Sequence, residues 1–164
     1  MRKAQPSRVV LAHLQKRGAG KTYYWAPSSP GPVSPGFRVP PSYKSMSDPK
    51  IQQDRTLAQV ERVFEEVRQR DFPGRPSRIG AVFVCPALEG FCRTGKRVYE
   101  VEVQGKTFQT DAEMFTEARI NAWRGDPDEY TASWAKSYWE GGTSWQGFNE
   151  VLAHGTVTVL REVS

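Results

Sequence analysis

The stretch APSSPGPVSPGFRVPPSYKSMSDPK, residues 26–50, holds seven of the twelve prolines in the chain. Proline fixes φ and donates no backbone hydrogen bond, so neither a helix nor an interior strand survives that density. Regular structure is therefore confined to the two sides of this segment. A connection of this length reads as a functional lid, a binding loop or a linker.

Before it, Arg8–Leu14 and Thr22–Trp25 are short β-like pieces. After it, DRTLAQVERVFEEVRQR (54–70) repeats Leu57, Val60, Phe64 and Val67 at helical spacing, with Thr56 and Gln59 placed as a capping box and FPG ending the helix. RIGAVFVCP (78–86) has the length and apolar character of a central strand, and ALEGFCRTG (87–95) reads as one or two helical turns. RVYEVEVQG (97–105) alternates, with Tyr99, Val101 and Val103 on one face. Thr110 and Glu113 start a helix to Trp123 closed by Gly125, and Asp126-Pro127 with Glu129 starts another over 127–140. The chain ends in two strand pieces around Gly155, read as a β-hairpin. This order predicts an α+β fold of one domain over residues 1–164, with strands drawn from both ends of the chain.

Charge separates the two sides as well. Residues 1–50 carry nine Lys/Arg and one acid, Asp48, whereas residues 51–164 carry 14 bases and 17 acids. A basic N-terminal third (Arg2, Lys3, Arg8, Lys16, Arg17, Lys21) favours polyanions. One function class is thus a non-catalytic module that binds nucleic acid or protein through this third. No apolar run reaches the roughly 18 residues of a membrane span, and the N-terminus does not read as a secretory signal, so a cytoplasmic protein without membrane contact is expected. Cys85 and Cys92 have no metal-ligand spacing and are expected as buried thiols. No metal site is expected. The sequence contains no GxGxxG, GxxxxGK[ST] or GxSxG.

What remains is Glu150, at the head of the apolar run NEVLAHGTVTVL and preceded by Trp139, Trp145 and Phe148 among Gly141, Gly142 and Gly147. Aromatic faces on a glycine-rich backbone beside a carboxylate suit a flat, partly charged ligand.

Three blocks carry a family resemblance: RIGAVFVCPALEGF (78–91), GKRVYEVEVQGKTFQTDAEMF (95–115) and NEVLAHGTVTVLREV (149–163). Together they resemble the conserved strands of the ADP-ribosyltransferase superfamily, in the style of its small bacterial or phage members. The resemblance implies a split mixed or antiparallel β-sheet core with flanking helices. It also implies NAD as substrate, without a metal, and a macromolecular acceptor, protein or nucleic acid, as for a toxin or a phage-encoded modifier. Glu150 falls on the family's catalytic acid and Gly155 on its turn glycine. The family's first-strand Arg or His is matched by His13 or Arg8. Ser77, Arg78, Phe83, Tyr99 and Trp145 fall where the dinucleotide would be held. Two residues before Glu150 stands Phe148, where arginine-specific members carry an acid, so arginine is not implied as the acceptor.

Overall fold

The computed structural model describes residues 20–29, 31–88, 97–144 and 146–164. His13, Arg8 and Trp145 lie outside them, as do the β-like piece at 8–14, most of the turns expected at 87–95 and all the basic residues before Lys21. The proline-rich connection separates β1 (Lys21–Trp25) from the strands that pair with it. After it come α1 (Pro49–Gln52), α2 (Arg55–Asp71), β2 (Val82–Val84), β3 (Tyr99–Gln104), β4 (Thr107–Asp111), α3 (Ala112–Arg124), α4 (Asp128–Glu140), β5 (Asn149–Ala153) and β6 (Thr156–Glu162). The fold is α+β, with two small antiparallel sheets and, among the described residues, four helices. None of these helices is long and apolar enough to cross a membrane.

One sheet has the order β1-β3-β6 and the other β2-β5-β4. The hairpin expected around Gly155 is absent: β5 pairs with β2 and β4, whereas β6 pairs with β3. Gly155 is a corner at which the chain leaves one sheet for the other, and Gly105 between β3 and β4 is a second. Both have positive φ (+112° and +147°), and they touch: a Cβ on Gly155 would run into the Gln104 carbonyl, and one on Gly105 into the His154 carbonyl. Only glycine accommodates that backbone together with that approach. The region 78–86 yields a three-residue strand at the edge of its sheet, with β5 in the centre. Strand β4, polar in sequence (TFQTD), completes that sheet.

Alternation then sorts side chains into layers. On β5, Val151 and Ala153 join Val82, Val84, Tyr99, Val101, Val103, Val157 and Val159 between the sheets. Leu152 faces the helices, where it joins Val60, Val63, Phe64, Val67, Phe108, Ala118, Ala135, Tyr138 and Trp139. The apolar face predicted for α2 is the one that is buried. Its cap differs: the Asp54 carboxylate, not Thr56, accepts from Leu57 N–H at 3.0 Å. Likewise Asp111 caps α3 through Glu113 N–H at 2.9 Å, while the Thr110 hydroxyl donates to the Tyr138 carbonyl. Asp126 accepts from Asn121 Nδ2 at 2.8 Å, and Pro127 holds the cap position of α4 without a side-chain bond. Cys85 is disulfide-bonded rather than a free thiol.

The proline-rich segment is neither lid nor linker over residues 36–39. Gly36 and Val39 donate to the carbonyls of Val159 and Val157 at 2.8 Å, and Val159 donates back to Phe37 O at 2.9 Å. The segment thus lies along the outer edge of β6, a position that otherwise leaves unpaired backbone groups.

Candidate active site

Residue parity on β5 decides where Glu150 goes. It shares the helix-facing side with Leu152, so a carboxylate at a strand head enters the interior instead of ending in water, and it is 7% exposed. The partner that makes this tolerable is Arg78, itself 4% exposed, in the turn before β2. Arg78 Nη1 donates to Glu150 Oε2 at 2.9 Å and to the Tyr138 hydroxyl at 2.7 Å. Arg78 Nε is shared between both oxygens of Glu61 at 3.1 Å. Tyr138 passes its own proton toward Glu150 Oε2 at 2.6 Å. The guanidinium also lies over the rings of Phe115 (3.8 Å), Phe83 (4.6 Å) and Tyr138 (5.3 Å). A cation enclosed by aromatic faces and two carboxylates is held by charge-assisted hydrogen bonds and ring quadrupoles together.

The cluster of Arg78, Glu61 and Glu150 sums to one negative charge when all three are ionised. Burial accordingly pushes the Glu61 carboxyl above the ordinary glutamate range, against the pull of Arg78, and Glu150 adds to the rise. The flanking carboxylates and Tyr138 hold Arg78 firmly protonated despite its burial. Desolvation first, and then the Glu150 charge, push the Tyr138 phenol well above its usual value. Tyr138 is therefore a fixed donor at physiological pH.

Two polar valences stay open. Among the described residues, Glu150 Oε1 and Arg78 Nη2 have no hydrogen-bond partner, and neither is fully enclosed, since Thr131 Oγ1 is the one wholly buried side-chain polar atom there without a partner. Both residues line a cleft of about 580 Å³ walled by Tyr43, Phe83, Phe115, Ile120 and Trp123, with Asp54 and Arg119 at its side. That volume is in the small-molecule range. Tyr43 meets Phe83 edge to face at 5.9 Å, and burial raises its phenol pKa.

Of the residues proposed from sequence, Glu150, Arg78 and Phe83 converge on this cleft. Ser77 does not line it. Its hydroxyl donates to Glu65 Oε2 at 2.8 Å and accepts from Ile79 N–H at 3.0 Å, and its carbonyl meets His154 Nε2 at 2.6 Å. Tyr99 is fully buried between the sheets and accepts from Val33 N–H at 2.8 Å, tying the proline segment down. Sequence reading missed Glu61, Tyr138 and Tyr43. Glu61 had a visible signal: it sits on the apolar stripe of α2, one residue after Val60 and three before Phe64, where a carboxylate needs a buried partner. Among the described residues, no three His, Cys, Asp or Glu are grouped as metal ligands.

An α+β domain with two antiparallel sheets and an acid–arginine cleft under its helices is the class that fold and site define. Residues 43–164, about three quarters of the chain, match the family described as Protein of unknown function (DUF2441), and the chain belongs to that family. No curated protein matches the chain.

Proposed function

We propose that this chain is an NAD-dependent ADP-ribosyltransferase-like enzyme in which Glu150 is the catalytic carboxylate. The observation that carries the reading is the division of labour within that carboxylate. Oε2 is fixed by Arg78 and Tyr138, while Oε1 is open to an aromatic cleft. Breaking the bond between ribose C1′ and the nicotinamide nitrogen sends the electron pair to nicotinamide and builds positive charge on the ribose, as in glycoside cleavage. A preoriented carboxylate oxygen beside that sugar, accepting from a ribose hydroxyl, interacts most strongly as the charge develops. An acceptor nucleophile then bonds to C1′ and releases its proton to solvent. The two antiparallel sheets, with Glu150 at the head of the strand before the Gly155 corner, support the split-sheet arrangement that the resemblance implies. The acceptor is a macromolecule, protein or nucleic acid.

The test is release of nicotinamide from NAD by the full chain and by Glu150→Gln. Glutamine preserves the shape and an acceptor for Arg78, so the variant folds. Turnover is expected to fall by about 10²–10³-fold, the cost of removing one electrostatic stabiliser of the transition state. Undiminished turnover in a folded Glu150→Gln protein would remove Glu150 from the role.

A further inference from the structure

Helix α3 presents two unlike faces. Ala112, Ala118 and Ala122 are buried, and these small side chains bring the helix close to the core. On the adjoining face, Thr116, Arg119, Ile120 and Trp123, spaced three and four apart, line the cleft together with Ala112 and Phe115. Trp123 is 78% exposed. Tryptophan is on average a well-buried residue, and its indole N–H is usually partnered. Trp134 and Trp139 follow that rule, donating to Asn121 Oδ1 at 2.7 Å and to the Phe64 carbonyl at 2.8 Å. Trp123 has neither a ring contact nor an indole hydrogen bond among the described residues, yet it stands on the wall of the cleft. One turn earlier, Arg119 spends a single N–H on Asp54 Oδ2 at 3.2 Å, in a pair whose side chains are 47% and 43% exposed. Such a pair is weak and screened. The rest of the guanidinium is therefore open to an anion.

We propose that Trp123 and Arg119 form the base-and-phosphate subsite of a nucleotide ligand whose sugar reaches Glu150 at the cleft floor. A free indole face stacks on any nucleobase, and an adjacent guanidinium meets the phosphate joined to it. The open donor on Arg78 and the open acceptor on Glu150 are complementary to sugar hydroxyls. The assignment of the sugar to Glu150 rests on the function proposed above; the subsite at Trp123 and Arg119 does not. On that reading the base is the adenine of NAD, and the sugar at Glu150 is the nicotinamide ribose on the other side of the phosphates.

Calorimetry with AMP and with ribose 5-phosphate, which lacks the base, tests the subsite on the full chain. Trp123→Ala is expected to weaken AMP binding about 5- to 150-fold while leaving ribose 5-phosphate binding unchanged. Trp123→Phe should restore most of the AMP affinity, and Arg119→Ala should weaken both ligands. Because Trp123 is exposed, Trp123→Ala should melt with the parent. If AMP binds the parent and Trp123→Ala equally, or does not bind the parent, the subsite is overturned. AMP binding that depends on Trp123 without NAD consumption would sink the role of Glu150 and keep the subsite. NAD consumption with a KM untouched by Trp123→Ala would do the reverse.

Discussion

Replacing Arg78 with methionine removes the guanidinium shared by Glu61, Glu150 and Tyr138 while keeping a linear, apolar stem between the rings of Phe83 and Phe115. The parent geometry fixes the size of the effect. Arg78, Glu61 and Glu150 are 4%, 1% and 7% exposed, so the two acids would be left in a desolvated site without their counter-charge. Breaking a buried ion pair by deleting one partner costs about 3–5 kcal/mol, a large part of a typical stability of about 5–15 kcal/mol. In urea, with a slope of about 2 kcal/mol per molar, the unfolding midpoint should fall by roughly 2 M at pH 7.5. The loss should also depend on pH, with a definite sign. Burial already holds the folded-state pKa of Glu61 above its ordinary value of 4.5, and removing Arg78 takes away the pull that opposes the rise. A raised carboxyl favours folding in its protonated form. The stabilisation is therefore present below the ordinary glutamate range and is lost as pH rises through the raised value of Glu61. Near pH 4 the deficit should shrink to about 1–2 kcal/mol, the lost hydrogen bonds and ring contacts alone. Urea titrations of parent and variant at pH 4 and pH 7.5, followed by circular dichroism, measure both quantities. A deficit below about 1 kcal/mol at pH 7.5, or one equal at the two pH values, would refute the picture of a buried cation holding two carboxylates.

Further outcomes follow from single contacts. Gly155→Ala places a Cβ against the Gln104 carbonyl at φ +112°, so a loss above about 2 kcal/mol and a melting point lower by roughly 5 °C or more are expected. Asp54→Ala deletes the α2 cap and should cost about 1 kcal/mol by thermal melting, with little added by its exposed pair to Arg119. Glu150→Gln should abolish most nicotinamide release, and Trp123→Ala should act on affinity for AMP with the fold untouched.

Local periodicity made parts of this fold legible from sequence. The α2 stripe and the alternation of β3 are strong because each buries one face against a single neighbouring layer. What escaped was decided by distant partners. TFQTD has no apolar alternation to mark β4, because its buried Thr110 is satisfied by a backbone carbonyl on α4. The terminal strands look like a hairpin because Gly155 is a turn signal, and only the contact with Gly105 turns it into a corner between sheets. Arg78 stands out only through the family resemblance, as a residue near the dinucleotide, because nothing near it in sequence announces Glu61, 17 residues earlier, or Glu150, 72 later. Glu150 itself was legible as an anomaly; its two partners on Oε2 were not.

The path of the proline-rich segment along β6 bears on where this protein can be cut. The region that matches the family begins at residue 43, after β1 and after the 36–39 strap. A fragment trimmed to that boundary would keep β3 and β6 as a bare two-stranded ribbon. It would lose β1 from one side and the strap from the other, and the Tyr99 hydroxyl would lose its Val33 partner. Two open edges on such a ribbon are templates for self-association. The unit that folds cleanly therefore extends upstream of the matched region, at least to Lys21, and expression fragments that start at 43 should precipitate where longer ones stay in solution.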